Sequence, residues 1–203
     1  MKLYFVRHGE SEANIRHIIS NRESPLGLTL LGKQQAQALA NKLSEVPISA
    51  IYCSPVFRAR ETADILSASF DVASEVTEAL REYDCGVLED QSDEKSWRLH
   101  REYFDSWTLH HHFQNKPQGG ESFLDIQKRF LPWIENLTHN GSYKDKYILL
   151  VGHGGLFHLM LPLILTNIDN GFVRLHRIGH SECVIAESVS GKLVCKQWGE
   201  VEF

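Results

Sequence analysis

An excess of positive charge, paired cysteines and long apolar runs are all missing from this chain of 203 residues. With 21 Lys and Arg against 26 Asp and Glu, the formal net charge is −5. Nucleic-acid-binding domains are usually strongly basic, so this balance argues against nucleic acid as the partner. A local cationic pocket stays compatible with it. The four cysteines, Cys53, Cys85, Cys183 and Cys195, lie far apart with no Cys-x-x-Cys pair. That usage fits reduced thiols in a cytoplasm better than a disulfide scaffold. No apolar run approaches the roughly 20 residues needed to span a bilayer, so no membrane role is expected. The first residues read as a strand and not as a signal peptide. No repeat or low-complexity segment stands out. What is present is an ordinary globular composition, 42% hydrophobic and 23% charged, which reads most simply as one domain over residues 1–203.

The most informative stretch is the start. Leu3-Tyr4-Phe5-Val6 runs straight into Arg7-His8-Gly9-Glu10, the pattern of a buried central strand ending in a polar turn. The same grammar returns where Tyr147-Ile148-Leu149-Leu150-Val151 ends in Gly152-His153-Gly154-Gly155. In open α/β sheets ligands bind outside the carboxyl ends of such strands, so both histidines are delivered to the usual place for chemistry. Between them, Thr29 is a plausible N-cap for a helix with apolar positions at Ala36, Leu39, Ala40 and Leu43. Residues 50–53 read as a strand, 57–69 as a helix and 71–76 as a short strand. From 80 to 120 the pattern loosens into a helical excursion, which gives an insertion over roughly 84–120. A helix over 122–137, bent near Pro132, a helix over 156–165 and a terminal strand pair at 183–189 and 193–197 complete the reading. The alternation predicts an α/β fold with a mostly parallel sheet covered on both faces, made mixed by the last pair. An exposed edge in that pair would let two chains associate as a homodimer.

Arg7, His8, Arg58 and His153 all follow strands. Two arginines and two histidines suit a phosphoryl group, whose transfer depends mostly on positioning and charge stabilisation. A neutral imidazole can be the nucleophile, and neighbouring arginines keep it neutral. A carboxylic acid would then protonate the leaving oxygen and later activate water. Glu82 is a candidate, but Glu78, Asp84 and Glu89 lie close in sequence, and the residues alone do not choose among them. Asn14 and Ser11 could hold phosphate or merely cap the loop. Arg22 and Gly154 are further substrate-binding candidates. The run His110-His111-His112 is no metal site, because adjacent side chains on a helix point apart. No metal and no cofactor are expected.

Together these segments resemble the histidine phosphatase superfamily, the phosphoglycerate mutase-like proteins. Arg7-His8-Gly9-Glu10-Ser11 with Asn14 is similar to its first signature. Leu28-Thr29-Leu30-Leu31-Gly32-Lys33-Gln34-Gln35-Ala36, the segment Ser54-Pro55 through Arg58-Ala59 to Thr62-Ala63, Leu80-Arg81-Glu82 with Gly86, and Gly152-His153-Gly154-Gly155 match later ones in order. The resemblance implies a three-layer α/β/α sandwich with a helical insertion over the site. It implies that His8 is the phosphorylated nucleophile, that Arg7, Arg58 and His153 clamp the phosphoryl, that Asn14 helps to hold it, and that Glu82 is the proton donor.

The short chain, the Gly119-Gly120-Glu121-Ser122 turn and the run Tyr83-Asp84-Cys85-Gly86 resemble the phosphatase branch, not the mutases. Two departures stand out: Leu88-Glu89-Asp90 replaces the usual Trp-Glu-Gly, and His180-Ser181 replaces an Asn-x-Ser/Thr pattern. The expected activity is cytoplasmic hydrolysis of a phosphomonoester of a small anionic metabolite. Arg98, His100, Arg101 and the three consecutive histidines are candidates for reading its other charges. The alternatives are phosphoryl transfer of the mutase type and a non-catalytic module that binds a phosphorylated ligand.

Overall fold

The computed structural model describes residues 1–22 and 24–203. In chain order the elements are β1 (Lys2–Arg7), α1 (Glu12–Ile15), α2 (Leu30–Lys42), β2 (Ile48–Cys53), α3 (Phe57–Phe70), β3 (Ser74–Val76), α4 (Glu94–Thr108), α5 (Phe123–His139), β4 (Tyr147–Gly152), α6 (Gly154–Met160), α7 (Asn170–Leu175), β5 (Cys183–Val189), β6 (Lys192–Trp198) and β7 (Val201–Glu202). The strands form one sheet in the order β3-β2-β4-β1-β5-β6-β7. β3, β2, β4 and β1 pair in parallel, and from β5 outward each strand is antiparallel to its neighbour. β6 therefore points the same way as the first four.

Alternation along the central strands makes the layers. Leu3 and Phe5 of β1, with Ile148 and Leu150 of β4, face one core, which they share with Ile126, Phe130 and Ile134 of α5 and with Leu156 and Phe157 of α6. Tyr4 and Val6, with Leu149 and Val151, face the other, against Leu39 and Ala40 of α2 and Ala59, Ala63 and Leu66 of α3. Both faces of β1 and β4 are buried, which is why these strands read as unbroken apolar runs. The result is the three-layer α/β/α sandwich with a mixed, mostly parallel sheet that the sequence led us to expect.

Several local expectations hold to the residue. The Thr29 side chain caps α2 by accepting from Gly32 N–H at 2.9 Å. Ser122 and Asp125 form a capping box that starts α5. Pro132 sits inside α5, which runs on to His139. Other boundaries shift. β3 is half as long as read, and the helix expected to end near 165 stops at Met160 and tightens into a 3-10 turn over Leu161–Leu163. The stretch 84–120 holds one long helix, α4, pinned to the core by Trp107, which is 1% exposed.

The exposed edge expected at the terminal hairpin is covered. Thr166 N–H donates to Leu193 O at 3.0 Å, and the Asn167 side chain both donates to Cys195 O and accepts from Cys195 N–H. β7 occupies the same edge farther along, opposite Gln197 and Trp198. Pairing of two chains through that edge is thereby blocked over these residues.

Candidate active site

β1, β2 and β4 end side by side at one rim of the sheet, with Arg7 in register with Gly152 and Cys53 with Val151. The loops that follow carry His8, Ser54 and His153. His8 is 3% exposed and His153 fully buried, their rings 5.2 Å apart. His8 Nδ1 donates to its neighbour's carbonyl, Gly9 O, at 2.7 Å. That bond leaves Nε2 as the ring's lone pair, and Arg58 Nε donates to it at 2.9 Å. Burial first, then the positive charges of Arg58 and Arg7, hold the His8 pKa well below its usual value. His8 is thus a neutral imidazole with its unprotonated nitrogen fixed in place.

Arg58, at the start of α3, is the hub. One terminal nitrogen donates to Ser20 O, the other to Asn21 Oδ1 at 3.4 Å and to His153 Nδ1 at 3.2 Å. His153 in turn donates from Nε2 to Ser54 Oγ at 2.7 Å. Burial lowers the Arg58 pKa to about 10, so it stays a cation at neutral pH. Arg7 is held from the opposite side, donating to Ile178 O at 2.8 Å and to His180 Nε2 at 3.0 Å. Its Nε is buried without a hydrogen-bond partner among the described residues.

Glu82 is 8% exposed and accepts from Gly155 N–H at 2.9 Å and Tyr83 N–H at 3.2 Å. Burial raises its pKa above the ordinary carboxylate value, against the lowering pull of Arg58 and these amides. A carboxyl that holds its proton more tightly than an exposed one is suited to act as a general acid. Gly155 makes the approach feasible: a Cβ there would lie 2.6 Å from the Tyr83 ring and 2.8 Å from the Glu82 carboxylate.

A cavity of about 630 Å³ opens over these groups. Arg7, His8, Arg58, Glu82, Asn14 and Gly154 line it, and His153 stands directly behind Arg58. Asn14 spends its Oδ1 on the Ser11 N–H and hydroxyl, which leaves its Nδ2 as the free donor. Ser11 is fully buried, outside the lining, and caps α1. Arg22 also lies outside it, bonded to the Asp84 carboxylate and to Gly119 O. Of the cations suggested for substrate charge, Arg101 lines the cavity, while Arg98 and the run from His110 to His112 do not. His100 lines it as a neutral ring, since burial brings its pKa to about 4.

Sequence reasoning missed several contributors. Ser54 was read only as part of a matching segment and given no role, although its hydroxyl orients His153. Arg177 lines the cavity from the loop after α7, where no strand-end signal points to it. Glu89, named from the sequence only as a rival to Glu82, has another role: it accepts from Asn21 N–H at 2.7 Å and Cys85 N–H at 2.8 Å, and so ties down the loop that holds Arg58. Among the described residues, no group of three or more His, Cys, Asp and Glu side chains could hold a metal ion. No helix among them is long and apolar enough to cross a membrane.

An α/β sandwich that presents paired histidines, two arginines and a protonatable carboxyl at adjoining strand ends defines a class of phosphoryl-handling enzyme. A sequence profile of the histidine phosphatase superfamily (branch 1) matches residues 3–201, and the chain belongs to that superfamily. The adenosylcobalamin/alpha-ribazole phosphatase of Salmonella typhimurium is 31% identical over 168 residues, 82% of this chain and 80% of that one. The solved structure of Bacillus stearothermophilus YhfR is 28% identical with a TM-score of 0.82, covering 99% of this chain and 98% of its own. A mycobacterial glucosyl-3-phosphoglycerate phosphatase shares the fold, at TM-score 0.81 and 22% identity over 98% of this chain and 99% of its own. The chain is accordingly a phosphatase of a metal-independent class.

Proposed function

We propose that the protein hydrolyses a phosphomonoester of a small anionic metabolite through a phosphohistidine on His8. The observation that carries this reading is the fixed tautomer of His8: Nδ1 is committed to Gly9 O and Nε2 presents a lone pair among arginines. In the first step Nε2 attacks phosphorus, the P–N bond forms and the bond to the ester oxygen breaks. Glu82 passes its proton to that oxygen, and the alcohol leaves. The Arg58 N–H that held Nε2 then faces the phosphoryl oxygens, with Arg7, Asn14 and Gly154 as their other neighbours. In the second step Glu82, now a carboxylate, takes a proton from water as the water attacks phosphorus. Phosphate departs and His8 is restored.

Arg101 and Arg177 support an anionic leaving group. Both line the cavity, both are exposed, and neither forms an ion pair among the described residues. The four free, buried cysteines suit the cytoplasm. The alpha-ribazole and glucosyl-3-phosphoglycerate phosphatases among its relatives support hydrolysis over mutase-type transfer.

The test is phosphate release from a panel of phosphorylated metabolites with a chelator present, for the native chain and for His8→Ala. Release that survives chelation and is lost in the variant, with a phosphohistidine trapped by acid-free quench of the native chain, is the expected result. Activity indifferent to His8 would overturn the mechanism.

A further inference from the structure

The phosphoryl clamp accounts for only part of the lining of the 630 Å³ cavity, and aromatic rings make up much of the rest. Trp97, His100 and Phe104 succeed one another along α4 at spacings of three and four residues, so they share one helical face. All three line the cavity, joined by Tyr83 and by His158 from α6. The rings brace one another. Tyr83 stacks on His100 at 5.6 Å between centroids, Trp97 meets His100 edge-on at 5.1 Å, and Phe104 meets His158 edge-on at 5.2 Å. Trp97 Nε1 donates to His17 O at 2.6 Å, which fixes the indole plane.

These rings are held differently from those that merely build the core. Trp107, on the same helix, is 1% exposed and fully packed. Trp97 and Phe104 are only half-buried, and both line the cavity. The two histidine rings of this wall are uncharged: burial brings both His100 and His158 to about 4, so they are neutral imidazoles at physiological pH. The other apolar lining comes from Ala13, Ile18, Ile19, Ile178 and Trp198. Polar groups line the cavity too, Arg101, Asp105 and Arg177 among them, so what sets this wall apart is its run of ring faces. A flat unsaturated ring would find π faces, which attract rings through dispersion and offset stacking.

Resting on the phosphatase reading above, we infer that the alcohol half of the preferred ester carries a planar, unsaturated ring, aryl or nucleoside-like, seated against Trp97 and Phe104.

The experiment compares kcat/KM for primary alkyl phosphates whose leaving alcohols are chemically alike: 2-phenylethyl phosphate and a nucleoside 5′-monophosphate against butyl phosphate and glycerol 3-phosphate. Native protein is expected to favour the ring-bearing esters by about tenfold or more, the factor that about 1.4 kcal/mol of stacking provides. Trp97→Ala and Phe104→Ala should each bring the ratio of ring-bearing to ring-free esters towards one, and Trp97→Phe should largely restore it. Equal kcat/KM for both groups in the native chain, or a ratio untouched by either alanine, overturns the ring subsite and leaves the phosphatase reading standing. Should no ester be hydrolysed, the phosphatase reading fails, and calorimetric affinities of His8→Ala for the same four esters still decide the subsite: tighter binding of the ring-bearing pair supports it and equal binding overturns it.

Discussion

In the proposed cycle Glu82 must hold a proton when the ester oxygen leaves, and its surroundings favour that. Burial lifts its pKa while Arg58 and three backbone amides pull the other way, with burial the largest influence. Replacing it by Gln keeps most of the shape and removes the proton. Glu82→Gln should lower kcat/KM for an alkyl phosphate by roughly 10²–10⁴-fold, the usual reach of general acid catalysis. An ester of 4-nitrophenol should lose far less, because its leaving oxygen needs no proton. The pH dependence follows from the same group. As pH rises through the elevated pKa of Glu82 the acid is lost, so the alkyl ester shows a descending limb that the Gln variant lacks. Because kcat/KM reports only the steps through alcohol departure, Glu82's later work on water does not blur the comparison. An equal loss on both esters would remove Glu82 as the acid. At this scale the sequence was highly legible wherever a residue sits in the turn after an apolar strand, as His8 and His153 do. It was mute where a role is set by an opposing loop. Arg177 and His180 reach the site from a segment far along the chain, and only the fold shows that Arg7 needs His180 as an acceptor.

Two loops, neither helix nor strand, decide where Arg58 points. Residues 19–22 supply its carbonyl and amide acceptors, and the turn through Cys85 and Glu89 holds that loop from behind. The Glu89 carboxylate accepts from Asn21 and Cys85 amides, Asp90 N–H bonds to Ile19 O at 2.7 Å, and Ile19 N–H bonds to Gln91 O at 2.9 Å. Glu89→Ala would strand two buried N–H groups, at about 1–3 kcal/mol each. We expect a stability loss of about 2–5 kcal/mol by urea unfolding, together with a fall in kcat as Arg58 loses its fixed acceptors. Glu89→Gln keeps one acceptor oxygen and should fall between. Unchanged stability in the alanine variant would refute the latch. This region explains a departure that the sequence raised without resolving. Leu88 packs in the core where the superfamily pattern carries Trp, Glu89 keeps its place, and Asp90 adopts φ +63° where the pattern has Gly. Asp tolerates that left-handed conformation better than most residues do. Strands and long helices were legible from period and caps because each is specified locally. α1 and α7 were not, since four- and six-residue helices carry too little periodicity to be read.

Over the whole molecule, the gathering of neutral imidazoles ties function to stability. His8, His153, His100, His158 and His180 all have depressed pKa values, in each case chiefly through burial. In the unfolded chain each would titrate near 6.5. Below that pH the unfolded state therefore binds protons that the folded state refuses, and stability falls as the solution is acidified. For His100 and His158, with folded values of about 4, the loss between pH 7 and pH 5 amounts to about 2–4 kcal/mol together once residual solvent screening is allowed for. Glu82 and Glu89 act in the opposite sense. Their folded pKa values are raised, so their contribution is lost as pH rises through those values. Two carboxyls stand against five imidazoles, and the histidines govern the sign. Thermal unfolding followed by circular dichroism should give a Tm several degrees lower at pH 5 than at pH 7.5, and His100→Phe should flatten that difference by removing one titrating ring while keeping the aromatic packing. A Tm that holds steady or climbs on acidification would mean that these rings are protonated in the folded protein. The same rings form part of the cavity wall and, in the proposed cycle, the nucleophile, so the uncharged imidazoles which that chemistry requires are also ones the protein can keep only above the acid range.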